Sequence, residues 1–108
     1  MIDLFSLDGR VAVVSGAAQG MGQATALALA QQGADLVLVD RVLPGAEATG
    51  EQIRAMGRRA LVTGTDVSDP NAIAELFRQV DSTFGRIDFL GNIAGDGHLA
   101  KPEELTIP

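Results

Sequence analysis

Hydrophobic positions along this chain follow two alternating rhythms. Residues 11–14 (Val-Ala-Val-Val) and 36–39 (Leu-Val-Leu-Val) are apolar without a break, as parallel strands covered on both faces tend to be. They predict a first strand over 10–14 and a second over 36–39 that stops at Asp40. Residues 60–63 predict a third strand, followed by Asp66-Val67, and residues 87–91 a fourth, leading into Asn92-Ile93-Ala94-Gly95. Between the strands the period lengthens. An alanine-rich run over 23–32 predicts a helix that stops at Gly33. Pro44 suits a first helical turn, and Ala46, Thr49, Ile53 and Met56 recur at helical spacing up to Gly57. Asp69-Pro70 reads as an N-cap and first helical position. Behind it Ile73, Leu76, Phe77, Val80 and Phe84 share one face, closed by Gly85. Residues 96–101 read as loop. Pro102-Glu103-Glu104 reads as the beginning of a further helix, whose acids suit a first turn.

The order β-α-β-α-β-α-β with short connections predicts the α/β class, with right-handed crossovers and a parallel sheet. The stretch between the first strand and first helix, Ser15-Gly16-Ala17-Ala18-Gln19-Gly20-Met21-Gly22, then becomes the centre of interest. A strand, a glycine-rich turn and a helix start offer close backbone approach and unpaired N–H groups to a phosphate. The spacing is G-x-x-x-G-x-G, with no Lys-Ser/Thr pair behind it, which disfavours a phosphoryl-transfer loop. What remains is a diphosphate held by backbone and helix dipole, each contact contributing about 0.3–2 kcal/mol. The alternative is that the glycines at 16, 20 and 22 only permit tight strand-to-helix packing.

Asp40 sharpens the picture. It ends the second strand, roughly 20 residues beyond the glycines, where a carboxylate accepts from the hydroxyls of an adenosine ribose. Such charge-assisted bonds contribute about 1.5–3 kcal/mol. A ribose 2′-phosphate at the same place meets a like charge, a repulsion of order 4 kcal/mol at ~4 Å before screening. Asp40 therefore favours NAD over NADP. A solvated strand-end carboxylate is the plain alternative. Arg41 either stacks on adenine and softens that selectivity or is surface charge. Asp66, with the Val67 N–H beside it, either accepts from the adenine amino group or caps the next helix. Asn92, Ala94 and Gly95 follow the fourth strand; the two small residues admit a ligand to the backbone, and the Asn ties strand end to loop. His98, the single histidine, has no nucleophile or metal-type neighbour at useful spacing and reads as a loop residue.

Composition narrows the classes. The chain has 108 residues, one domain's worth, and its net charge of −6 argues against a nucleic-acid partner. No cysteine is present, which excludes disulfides and thiolate chemistry and suits a reducing, cytoplasmic setting. No apolar run approaches a membrane span, and the acidic start, without a basic segment, does not read as a signal peptide. A doubly wound dinucleotide fold has two β-α-β-α-β halves. The pattern here amounts to one half and the first strand of the second, so residues 1–108 read as an incomplete Rossmann-like domain truncated before its second half. A fourth strand left at an edge predicts self-association or partial unfolding.

Taken together, Leu7-Asp8-Gly9-Arg10-Val11, Ser15-Gly16-x-x-x-Gly20-x-Gly22, Asp40, Asp66-Val67, Phe84-Gly85-x-Ile87-Asp88 and Asn92-x-Ala94-Gly95 resemble the short-chain dehydrogenases/reductases of the NAD-preferring type. The likeness runs over nearly the whole chain. It implies that Gly16, Gln19, Gly20, Met21 and Gly22 hold the pyrophosphate, Asp40 with Arg41 beside it the adenosine ribose, and Asp66 and Val67 the adenine. Asn92, Ala94 and Gly95 would line the inner ribose. Ile93 stands where the family usually has a second Asn. The family's Ser, Tyr and Lys, the Lys four residues after the Tyr, have no counterpart: the chain has no Tyr, and Ser82 and Lys101 do not fall at those motif positions. The resemblance thus implies a homo-oligomeric parent that interconverts a small alcohol and a carbonyl by hydride transfer, and a 108-residue chain without that activity. Two other classes stay open. One is a non-catalytic nucleotide-binding module. The other is half of an S-adenosylmethionine methyltransferase, which would need a shorter D/E-x-G-x-G-x-G turn that is absent.

Overall fold

The computed structural model describes residues 6–92, and at Asn92 the backbone alone. Seven elements follow in order: β1 (Val11–Ser15), α1 (Gly20–Gln31), β2 (Asp35–Val39), α2 (Leu43–Ala55), β3 (Ala60–Thr63), α3 (Pro70–Thr83) and β4 (Phe89–Asn92). All pairings are parallel and the strand order is β3-β2-β1-β4. The chain builds outward from β1 to β3, then α3 carries it back across to the far side of β1. This is the Rossmann-like arrangement expected, and the reversal of order falls between β1 and β4.

Strand alternation divides the core in two. Ala12, Val14, Leu36 and Leu38 face one way and pack with Ala26 and Ala30 of α1 and Ile53 of α2. Val11, Val13, Val37 and Val39 face the other way, against Leu76 and Val80 of α3. Both faces of β1 and β2 are therefore buried, which is why their sequences are apolar at every position. Burying each of the Val, Leu and Ile side chains contributes about 1.5–3 kcal/mol. The alanines of α1 let that helix lie close to the sheet. Their small size also leaves α1 without a strong apolar stripe.

The boundaries moved in instructive ways. The first helix begins at Gly20, inside the glycine-rich stretch, and not at residue 23. The fourth strand begins at Phe89; just before it the Asp88 N–H donates to the Val11 carbonyl at 2.8 Å. Met56, expected on the inner face of α2, is 37% exposed. Asp69 caps α3 as its residue type predicts, accepting from the Asn71 N–H at 2.9 Å with Pro70 in the first turn. The three helices stop before Gly33, Gly57 and Gly85, all at positive φ.

Candidate cofactor-binding site

Parallel pairing brings the carboxyl ends of the strands into one row. Ser15 is in register with Val39 on one side and Asn92 on the other, and Val39 with Thr63. Gly16, Asp40 and the 64–67 loop therefore leave the sheet along a single edge. That edge includes the ends of β1 and β4, where the strand order reverses and an open α/β sheet offers a crevice.

The glycine-rich turn is shaped by two steric facts. Gly16 sits at φ 70, and its N–H donates to the Val39 carbonyl at 2.8 Å. Gly22 lies so close that an added Cβ would stand 1.9 Å from the Gly16 carbonyl oxygen. The start of α1 thus rests directly on the backbone of the turn. Gly20, at φ 61, is different: a Cβ there would meet nothing within 4 Å among the described residues. Gln19 occupies the N-cap with extended backbone, no side chain caps the helix, and its first turn holds no acid. Gln19 and Met21 are exposed, Met21 at 73%. The positive end of the helix dipole therefore opens onto space beside Gly20, where an anion meets no competing carboxylate from the helix itself.

Asp40 is tied to this turn. Its Oδ2 accepts from the Ala18 N–H at 2.9 Å and its Oδ1 from the Val42 N–H at 2.8 Å. A carboxylate offers about four acceptor sites, so two hydroxyls can still bind to it. Arg41 is exposed, and its charge acts on Asp66. Asp66 Oδ1 accepts from the Ser68 hydroxyl at 2.7 Å and the Ser68 N–H at 2.9 Å. Those two bonds, the hydroxyl's first, lower the Asp66 carboxyl below its ordinary pKa; burial opposes the shift and Arg41 adds to it. Of the two roles open to Asp66, capping of α3 falls instead to Asp69, while Asp66 shapes the turn before it. Val67 is 42% exposed beside it. Asn92 lies at the row's end through its backbone pairing; Ala94 and Gly95 fall outside the described residues, as do Ile93, His98 and Lys101.

The roles of two residues, one at this edge and one at the other end of the sheet, were not legible in the sequence. Thr49 is wholly buried and its hydroxyl lies 3.0 Å from the Ala17 carbonyl oxygen, tying α2 to the turn. Its place in the helical period made it look like core filling. Asp88 joins β4 to β1 at the opposite edge: Oδ2 accepts from the Val11 N–H and from Arg86 Nε, both at 2.8 Å, and Oδ1 from Arg86 Nη2 at 2.6 Å. The Arg86 contact, then the Val11 N–H, pull its carboxyl down to about 2. Among the described residues no group of His, Cys, Asp and Glu has the arrangement of a metal site. Nor is any helix there long and apolar enough to cross a membrane.

This architecture has known counterparts. A family model described as short chain dehydrogenase matches residues 10–107. The chain belongs to that family. Among its relatives, the D-threitol dehydrogenase of Mycolicibacterium smegmatis is 44% identical over 105 residues, covering 95% of this chain and 40% of that protein. A hydroxysteroid dehydrogenase structure from Escherichia coli superposes with a TM-score of 0.81 at 30% identity, over 86% of this chain and 40% of that one. A metagenomic short-chain oxidoreductase, solved in complex with NADP, gives 0.78 at 39% identity, over 90% of this chain and 47% of that one. The chain spans 34% to 42% of the length of these curated relatives.

Proposed function

We propose that this chain is the N-terminal, dinucleotide-binding part of an oxidoreductase that interconverts an alcohol and a ketone or aldehyde, with NAD preferred over NADP. The observation that carries the reading is the direct bond between Asp40 and the Ala18 N–H. It makes the carboxylate at the end of β2 and the glycine-rich turn one unit, a ribose acceptor fixed beside a diphosphate cradle. The open space at Gly20, the uncapped start of α1 and the spare acceptor sites of Asp40 all suit an adenosine diphosphate group.

In this reading the N–H groups at the start of α1 hold the pyrophosphate oxygens, and Asp40 accepts from the adenosine ribose hydroxyls. Val67 and Asp66 border the adenine, with Arg41 over its outer side. Asn92, Ala94 and Gly95 lie toward the inner ribose. A bound nicotinamide supplies hydride acceptance and return. The residues of this chain bind and orient; they move no proton. With no Tyr in its sequence, the 108-residue chain by itself binds cofactor without turning over an alcohol, and substrate contacts belong to the whole protein. A second reading, acceptance of NADP, draws on Arg41 beside Asp40, a cation able to meet a 2′-phosphate, and on the NADP held by one structural neighbour. A non-catalytic nucleotide-binding module would show the same cofactor affinity.

The test is titration of the purified chain with NAD, followed by incubation with NAD and a panel of secondary alcohols. Saturable binding that Gly16→Asp abolishes, with no NADH formed above that variant's background, is the expected result. Turnover well above the Gly16→Asp control overturns the division between binding and catalysis, and absence of binding overturns the assignment.

A further inference from the structure

One peptide group in the turn is held at both poles. Its carbonyl, that of Ala17, faces the Thr49 hydroxyl at 3.0 Å, and its N–H, that of Ala18, donates to Asp40 Oδ2 at 2.9 Å. Thr49 comes from α2, a different element, and is wholly buried. A buried hydroxyl costs free energy unless it is bonded, so an aliphatic residue would fill this position more cheaply if packing were the only demand. The hydroxyl has one proton to give. Gln23 Nε2 donates to the Thr49 oxygen at 3.3 Å, and the proton has two acceptors in reach, the Ala17 carbonyl at 3.0 Å and the Gly45 carbonyl at 3.3 Å. The shorter is the Ala17 oxygen. Gly45 also brings α2 against the turn, since a Cβ on it would stand 2.9 Å from the Ala18 Cβ.

We propose that Thr49 is a positioning residue for binding of the cofactor's adenosine ribose. By fixing the carbonyl of the 17–18 peptide, it points the Ala18 N–H at Asp40 and so sets the carboxylate that receives the adenosine ribose; this rests on the reading of Asp40 as the ribose acceptor. Rotation of that peptide would replace a donor with an oxygen facing the carboxylate, which repels it. Thr49 itself never reaches the ligand. Its influence passes through one peptide plane.

The test uses the full 108-residue chain carrying Thr49→Val, which removes the hydroxyl and keeps the shape, or Thr49→Ser, which keeps the hydroxyl. Ile53→Val, on the same buried side of α2, serves as a reference for simple loss of packing. Two quantities are read: hydrogen exchange at the Ala18 amide without ligand, by NMR, and NAD affinity by calorimetry. Thr49→Val is expected to speed Ala18 exchange about tenfold and to weaken NAD about fivefold, the size of one hydrogen bond. Thr49→Ser keeps both near wild type, and Ile53→Val lowers the melting temperature while leaving both unchanged. Wild-type values in Thr49→Val, or equal changes in Ile53→Val, overturn the proposal. The amide readout needs no ligand, so the two ideas fail separately. Faster Ala18 exchange in a chain that binds no NAD overturns the ribose reading and with it the role in cofactor binding. Unchanged exchange in a chain that binds NAD overturns the positioning contact alone.

Discussion

Replacing Gly22 by alanine tests the packing that shapes the turn. The added methyl carbon would lie 1.9 Å from the Gly16 carbonyl oxygen, 2.6 Å from the carbon behind it and 3.3 Å from the Ala17 nitrogen. Carbon–oxygen contacts in proteins begin at about 3.3 Å, so the intrusion is roughly 1.4 Å. Backbone stands on both sides, and the turn is pinned by Thr49 and Asp40; α1 must therefore retreat from the end of β1. Overpacking of this kind costs about 1–3 kcal/mol, and the rigidity of both partners puts it near the upper figure. Alanine's better helix propensity offsets about 1 kcal/mol. The net loss of about 2 kcal/mol lowers the melting temperature by roughly 10 °C in a domain of this size. Gly20→Ala is the matched comparison: no atom of the described residues lies within 4 Å of its Cβ, and the left-handed backbone, at φ 61, opposes it, at about 1 kcal/mol. Thermal melting by far-UV circular dichroism should rank wild type above Gly20→Ala and Gly20→Ala above Gly22→Ala. A Gly22→Ala chain that melts within about 2 °C of wild type, or more stably than Gly20→Ala, refutes the steric account of the turn.

Acid denaturation should carry the signature of Asp88. Its carboxyl lies near 2 in the folded chain against an ordinary 3.8, so its stabilising contribution is complete above the unfolded value and disappears as pH falls through the folded one. Circular dichroism between those two values should show the wild-type chain losing stability more steeply than Asp88→Asn, and coincident acid limbs would contradict the clasp. Asp69→Ala, which removes the cap of α3, should cost about 1 kcal/mol, whereas Asp69→Asn should cost much less; equal losses in urea melts would show that the cap contributes nothing. Asp40→Ala should leave the chain folded and narrow the gap between NAD and NADP affinity, measured by competition; an unchanged ratio would remove Asp40 from the ribose site.

Much of this fold can be read from local pattern. The unbroken apolar runs of β1 and β2 arise because both faces are covered, and the Asp69-Pro70 pair states its own role. Ala60–Thr63 falls where the sequence puts it although its residues are only half-buried. What cannot be read is what depends on a distant partner. Asp88 looks like a strand residue until Val11 and Arg86 are seen around it. Thr49 looks like core until its hydroxyl is placed against the Ala17 carbonyl. Gly20, Met21 and Gly22 read as loop because glycine is a poor helix former, yet close packing of Gly22 on Gly16 draws them into the first turn of α1. The candidate ligand residues stand at strand ends that the sequence marks, whereas tertiary contact alone makes the residues that hold them.

The most direct test of the central claim is calorimetric titration of the wild-type chain with NAD and, separately, with NADP under the same low-salt conditions. The account predicts a saturable single-site isotherm for NAD and NADP binding at least about tenfold weaker, the effect of a like charge at Asp40 after solvent screening. Equal or tighter binding of NADP, or no heat with either dinucleotide, would contradict it.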